Sequence, residues 1–190
     1  LDLGCGQGQL VMALAELGFN NLQGMDPFLP LDVSQKSALI SRSGIDDLEP
    51  GWDLIMLHHA LEHLPDPHAV FQKLYRVLNP GGYLLLRVPT VDSWAYEHYA
   101  DYWVQWDPPR HLYLFSRQNF AYLAQKHQFK MVFMQDDASA FQFLGSETYR
   151  QGLALTDMKD SFFQRMAYQA KANTLNRQKQ GDQLVCCLQK

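Results

Sequence analysis

The chain has 190 residues, the size of one domain and enough to bury a core. Hydrophobic residues make up 47% and charged residues 19%, which excludes a disordered or fibrous chain. A formal net charge of -4 argues against nucleic acid as the principal partner, since phosphate binding calls for a basic surface. There is no apolar run long enough to cross a bilayer. The three cysteines, two of them adjacent (Cys186 and Cys187), form no disulfide framework, so a reducing cytoplasm is the expected location.

The sequence opens inside what reads as a strand, Leu1-Asp2-Leu3, and an upstream segment is therefore expected to be missing. Gly4, Gly6 and Gly8 follow at alternate positions. Glycine permits a turn that a Cβ would block and lets a ligand approach the main chain. Leu10, Val11, Leu14 and Leu17 recur at helical spacing up to Gly18. That helix aims its free N–H groups and positive dipole end back at the glycine turn. Asn21 to Met25 reads as a second strand ending at Asp26-Pro27, which puts a carboxylate about 20 residues past the glycines, where a ribose is held in doubly wound sheets. Residues 28–51 are less regular, with a short third strand expected over Ser37 to Ser41 and a loop over Gly44 to Asp47.

Asp53 to Leu57 is a continuous apolar run, as in a strand covered on both faces. Asp66-Pro67 supplies an N-cap and a first-turn proline, and Val70, Phe71, Leu74, Val77 and Leu78 mark the face of the helix behind them. Asn79-Pro80-Gly81-Gly82 stops it before a buried strand over Tyr83 to Val88. A helix starts at Ser116, Phe129 to Met134 is a strand, residues 141–177 are mainly helical and amphipathic, and Gln183 to Leu188 closes the chain as a strand. Strands alternating with helices predict one α/β domain over residues 1–190. The long helical insertion at 141–177 fits a last strand laid antiparallel beside its predecessor. That insertion is expected to act as cover, with a homodimer surface as a second role.

Several motifs in this order resemble those of class I S-adenosylmethionine-dependent methyltransferases, and within them the type 11 or methyltransferase domain 23 group. They are Leu1 to Gly8, Asp26, His59-Ala60-Leu61-Glu62-His63-Leu64-Pro65-Asp66-Pro67, Leu78-Asn79-Pro80-Gly81-Gly82, and Trp106-Asp107-Pro108-Pro109-Arg110-His111-Leu112. The likeness covers roughly residues 1–135. It implies a doubly wound, mostly parallel seven-stranded sheet with its last strand antiparallel. It also implies S-adenosylmethionine as cofactor, with S-adenosylhomocysteine as product. In that reading Asp2, Leu3, Gly4, Cys5 and Gly6 surround the methionine part, and Asp26 and Pro27 hold the ribose. Ile45 and Asp46 flank the adenine, and main-chain groups at Leu57 and His58 lie by the methionine amine. The glycines run G-x-G-x-G with Asp2 in front, where the dinucleotide fingerprint is G-x-G-x-x-G; a nicotinamide-dependent Rossmann enzyme is the competing reading, because a ribose-binding carboxylate serves both.

His59, Glu62 and His63 would share one face if helical, at metal-ligand spacing; the alternative is that Glu62 and His63 only orient the loop. Residues 89–115 are rich in rings, including Trp94, Tyr96, Tyr99, Trp103 and Trp106, and connect elements at the carboxyl edge of the sheet. They are expected to form a lid that walls an acceptor pocket, or to pack on themselves. Within it His111 is the candidate general base and Arg110 a candidate holder of an acidic group; the alternative for each is a structural or positioning role. Cys5, Cys186 and Cys187 read as small core residues. The expected reaction is methyl transfer to a small molecule, first of all at oxygen. A methyltransferase acting on RNA or protein, and a non-catalytic binding module, stay open.

Overall fold

The computed structural model describes residues 1–30, 33–35 and 38–190. Its strands are β1(Asp2–Leu3), β2(Leu22–Met25), β3(Val33–Gln35), β4(Ala38–Ser41), β5(Trp52–His58), β6(Leu78–Pro89), β7(Lys130–Asp136) and β8(Gln183–Gln189). They form one sheet in the order β3-β4-β2-β1-β5-β6-β8-β7. β4, β2, β1, β5 and β6 pair in parallel. β8 lies between β6 and β7 and is antiparallel to both, as the long insertion before it predicts. The expected seven strands are joined by an eighth, β3, which adds an antiparallel edge beside β4 in the stretch that reads as irregular. Of the third strand expected over Ser37 to Ser41, Ala38 to Ser41 is formed, and Ser37 lies outside the described residues.

Among the described residues six α-helices connect these strands, three of them outside residues 89–115 and 141–177. α1(Gln9–Glu16) follows the glycine turn. In α2(Pro67–Val77) the Asp66 side chain accepts hydrogen bonds from the His68 and Ala69 amides, and Pro67 occupies the first helical position, where its missing N–H costs nothing. α4(Arg117–Lys126) is capped by Ser116, whose hydroxyl accepts from the Asn119 amide. Phe71 and Leu74 of α2 and Phe120 and Leu123 of α4 bury against Ile55, Leu57, Leu84 and Leu86 of the sheet, each contributing about 2–3 kcal/mol.

A second core stands apart from the sheet. α3(Trp94–Tyr99) opens the ring-rich connection after β6, and α5(Phe141–Arg150) and α6(Phe162–Arg177) form the insertion before β8. Ala95, Tyr99 and Trp103 of the connection bury together with Phe143, Ala172 and Leu175 of the insertion. The insertion is therefore the floor on which the ring-rich connection packs. α6 leaves Phe162, Phe163 and Met166 exposed. No helix among the described residues is long and apolar enough to cross a membrane.

Candidate cofactor and acceptor site

The carboxyl ends of β1, β2, β5 and β6 converge where the strand order reverses, the usual ligand crevice of such sheets. Gly4, Gly6 and Gly8 all have positive φ. At Gly4 the reason is also contact: a Cβ there would come within 2.6 Å of the Ala60 Cβ, so the turn packs directly on the loop after β5. A Cβ at Gly8 would fall 2.0 Å from the Ile40 side chain. Gly8 is the N-cap of α1 and brings no side chain to its free amides, which leaves them available to a ligand.

Two carboxylates flank this turn. Asp26 accepts at Oδ2 from the Gly6 amide and at Oδ1 from the Phe28 amide, both at 2.9 Å. These bonds fix the plane of the carboxylate and leave further lone pairs on both oxygens for a pair of hydroxyls. Asp2 is 3% exposed, its Oδ1 has no hydrogen-bond partner, and burial raises its pKa to about 6. An orphaned oxygen of this kind beside an anion-tolerant turn fits a ligand that brings an ammonium group. The Cys5 thiol is pushed up to about 11 by burial and by Asp2 and Asp26, so it stays protonated and is no nucleophile, as its reading as a packing residue requires.

The remaining expected cofactor residues lie after β4 and at the end of β5. Gly44 lies against Pro27, and the turn Ile45–Asp47 follows it, with the Asp46 carbonyl accepting from Lys73 Nζ at 3.3 Å. Leu57 is fully buried, its side chain in the core beneath the sheet's end. Burial first, then the charges of Arg87 and His59, hold the His58 imidazole below its usual pKa.

The loop after β5 departs from the helical spacing expected of His59, Glu62 and His63. The strand runs through His58, His59 turns the chain with a φ of 53°, and only Leu61–His63 forms a 3-10 turn. His59 thus lies outside the turn that carries Glu62 and His63. Among the described residues, donor atoms of Glu62, His63 and His111 lie within 4.8 Å of one another. His59 Nδ1 still lies 3.3 Å from Glu62 Oε1.

The ring-rich connection is tied down at several points. The Leu112 and Tyr113 amides donate to the Glu62 carbonyl at 2.8 and 3.3 Å. His63 Nδ1 is 2.8 Å from the Arg110 carbonyl, and His111 Nδ1 is 2.7 Å from the Gln105 carbonyl. The Arg110 guanidinium is exposed and donates to Asp107 Oδ1 at 2.6 Å. Most of the rings pack on one another and on the insertion: Trp103 is fully buried between Tyr96 and Trp106. Trp106, Asp107, Tyr149 and Leu153 line a cavity of about 620 Å³. Sequence reasoning missed Asp182, which accepts from Trp103 Nε1 at 3.1 Å while its backbone carbonyl accepts from the Thr90 amide at 2.9 Å. Asp182 is fully buried, and burial lifts its pKa to about 7. Nothing local in the sequence marks it; its partners are 79 and 92 residues away in the chain.

Sheet order, glycine turn and paired carboxylates together define a class I methyltransferase fold. The pattern of the methyltransferase domain family matches residues 1–133, and the chain belongs to that family. It is 33% identical over 108 residues to a ubiquinone biosynthesis O-methyltransferase of Pseudomonas aeruginosa, covering 50% of this chain and 46% of the relative. It is likewise 33% identical over 96 residues to the enzyme of that name from Shewanella pealeana, covering 44% and 40%. The matched stretch spans less than half the length of these curated relatives. Among solved structures it resembles an S-adenosylmethionine-dependent methyltransferase from Mesorhizobium loti (TM-score 0.63, 15% identity, 100% of this chain and 89% of that one). It is also similar to the mycolic acid cyclopropane synthase CmaA1, solved with S-adenosylhomocysteine (TM-score 0.63, 17% identity, 100% and 76%).

Proposed function

We propose that the chain transfers a methyl group from S-adenosylmethionine to a small-molecule acceptor, at oxygen. The observation that carries the reading is the glycine turn with Asp26 locked toward it by the Gly6 and Phe28 amides and the Asp2 Oδ1 left without a hydrogen-bond partner beside it. When bound, the cofactor supplies a methyl carbon on a sulfonium, already a good leaving group. In this reading Asp26 accepts from the ribose hydroxyls and Asp2 faces the amine. Pro27 lies with Asp26 at the ribose, Ile45 and Asp46 flank the adenine, and main-chain groups of Leu3, Gly4, Cys5, Gly6, Leu57 and His58 close around the methionine part. The protein's remaining work is alignment and exclusion of water, which lowers the barrier by several kcal/mol (up to about 7–11).

Oxygen as the accepting atom draws on the names of the curated relatives. The cavity beside Asp107 has the size of a small-ligand pocket, and in this reading Arg110 and His111 act as groups that position the acceptor. Labelled S-adenosylmethionine offered with hydroxylated aromatics, amines, RNA and protein tests this. Label is expected in the hydroxylated compounds; label confined to amines or to macromolecules would refute the acceptor assignment.

A further inference from the structure

We propose that the cavity between the ring-rich connection and the insertion binds a small organic ammonium ion. Asp101, Trp103, Trp106 and Asp107 of the connection and Tyr149 and Leu153 of the insertion line about 620 Å³ of space, a volume that suits a small-molecule ligand. Among the described residues no Lys, Arg or His side chain belongs to that lining. Its polar side chains are two carboxylates and a phenol, set among aromatic and aliphatic surface.

Donors and acceptors in this wall are spent unevenly. Both indole N–H groups are committed: Trp103 Nε1 donates to Asp182 Oδ2 at 3.1 Å, and Trp106 Nε1 donates to the Ala100 carbonyl at 2.8 Å. Neither indole N–H is left for an anion, whereas Trp106 and Tyr149 both keep part of their surface exposed. Asp107 Oδ1 accepts from the Arg110 guanidinium at 2.6 Å. Its Oδ2 has only His111 Nε2 nearby, at 3.8 Å, beyond hydrogen-bond reach. Asp101 is exposed, and no hydrogen bond or ion pair among the described residues takes up its carboxylate. The wall therefore has accepting oxygens and ring surface to spare, and few donors.

A positive charge is attracted by both kinds of group at once. An ammonium within about 6 Å of an indole or phenol ring centre gains from the negative face of the ring, and the Asp101 carboxylate adds a Coulombic attraction whose sign turns anions away. A bare metal ion would leave the rings and Leu153 without contact, while an ammonium carried on an apolar body uses carboxylate, rings and aliphatic surface together. The net charge of -4 favours the same ligand at longer range. Through Asp107 the cavity adjoins His111, whose ring stands 4.9 Å from that of His63 in the loop after β5. That the ammonium compound is also the methyl acceptor rests on the methyl-transfer reading, and requires it to carry a hydroxyl as well. Its binding does not depend on that reading.

The test is calorimetric titration of the full chain with three para-substituted phenols of different charge: tyramine (cation), 4-ethylphenol (neutral) and 4-hydroxyphenylacetate (anion). S-adenosylhomocysteine, which lacks the sulfonium charge, is titrated into the same preparation. Tyramine is expected to bind tighter than 4-ethylphenol by about threefold to thirtyfold, and 4-hydroxyphenylacetate more weakly than either. Asp101→Asn, at an exposed position, is expected to keep the melting temperature and narrow the preference for tyramine. Trp106→Leu is expected to weaken tyramine more than 4-ethylphenol; should that variant fail to fold, Asp101→Asn still decides. Equal affinity for tyramine and 4-ethylphenol, tightest binding of the anion, or no binding of tyramine would overturn the proposal. A preference for tyramine left unchanged by Asp101→Asn and Trp106→Leu alike would overturn it too. Preference for tyramine without S-adenosylhomocysteine binding would instead refute the methyl-transfer reading and leave the ammonium site standing.

Discussion

Asp182→Asn should change how stability depends on pH. The wild-type carboxyl is fully buried, holds the Trp103 indole through Oδ2 and leaves Oδ1 without a partner. Burial raises its pKa from 3.8 to about 7. In the folded protein it therefore keeps its proton up to about pH 7, while in the unfolded chain it releases it near pH 4. Between those values the folded state holds one more proton than the unfolded state, so this group's contribution falls as pH rises, by about 1.4 kcal/mol per pH unit. Across the whole window the loss is about 4 kcal/mol; above pH 7 both states are ionised and the contribution is flat. Asparagine carries no such charge and can still accept from Trp103. Urea denaturation of both proteins from pH 5 to 8.5 measures the difference. Relative to wild type the variant should gain about 2–3 kcal/mol between pH 5 and 7 and then hold a constant offset. Parallel stability curves over that range would refute the assignment of a buried, proton-holding carboxyl at this position.

Other perturbations separate the roles of turn and lid. Gly4→Ala places a Cβ against Ala60 at a φ of 78°. It should cost about 1–2 kcal/mol from backbone strain alone and weaken S-adenosylmethionine binding, as read by thermal melts and calorimetry; an unaltered affinity would show that the turn does not carry the ligand. Trp103→Ala empties the centre of the lid core, where Trp103 is fully buried, and should destabilise the protein by about 3–5 kcal/mol. A loss below 1 kcal/mol in urea titrations would mean that the lid folds independently of the insertion.

What the sequence reveals and what it hides follow from the range of the interactions involved. The glycine turn, Asp26 at a strand end and the Asp66-Pro67 helix start are legible because each is written in adjacent residues and obeys local chemistry. The antiparallel last strand is legible because 141–177 is too long for a simple crossover. His59 is misplaced by helical spacing because a single residue with φ of 53° separates the strand from the short turn behind it, and no pattern in neighbouring residues announces that break. The pairing of His63 with His111, whose rings meet although the residues are 48 positions apart in the sequence, and the anchoring of Trp103 by Asp182 exist only once the lid has folded back onto the sheet. Phe143, Ala172 and Leu175 of the insertion give the rings of residues 89–115 an apolar floor, a contact between stretches too far apart in the chain for a local pattern to announce. Strand β3 escapes because three residues at a sheet edge, Val33, Ser34 and Gln35, bear no alternation long enough to recognise.

The central claim is that the turn from Leu3 to Gly8, with Asp26, holds S-adenosylmethionine. Calorimetric titration of the wild-type chain and of Asp26→Asn with S-adenosylmethionine tests it most directly. One-site binding by wild type is predicted, weakened in the variant by about tenfold to a hundredfold, the worth of a hydrogen bond to a charged acceptor. Equal affinity in the two proteins, or no binding by wild type, would contradict it.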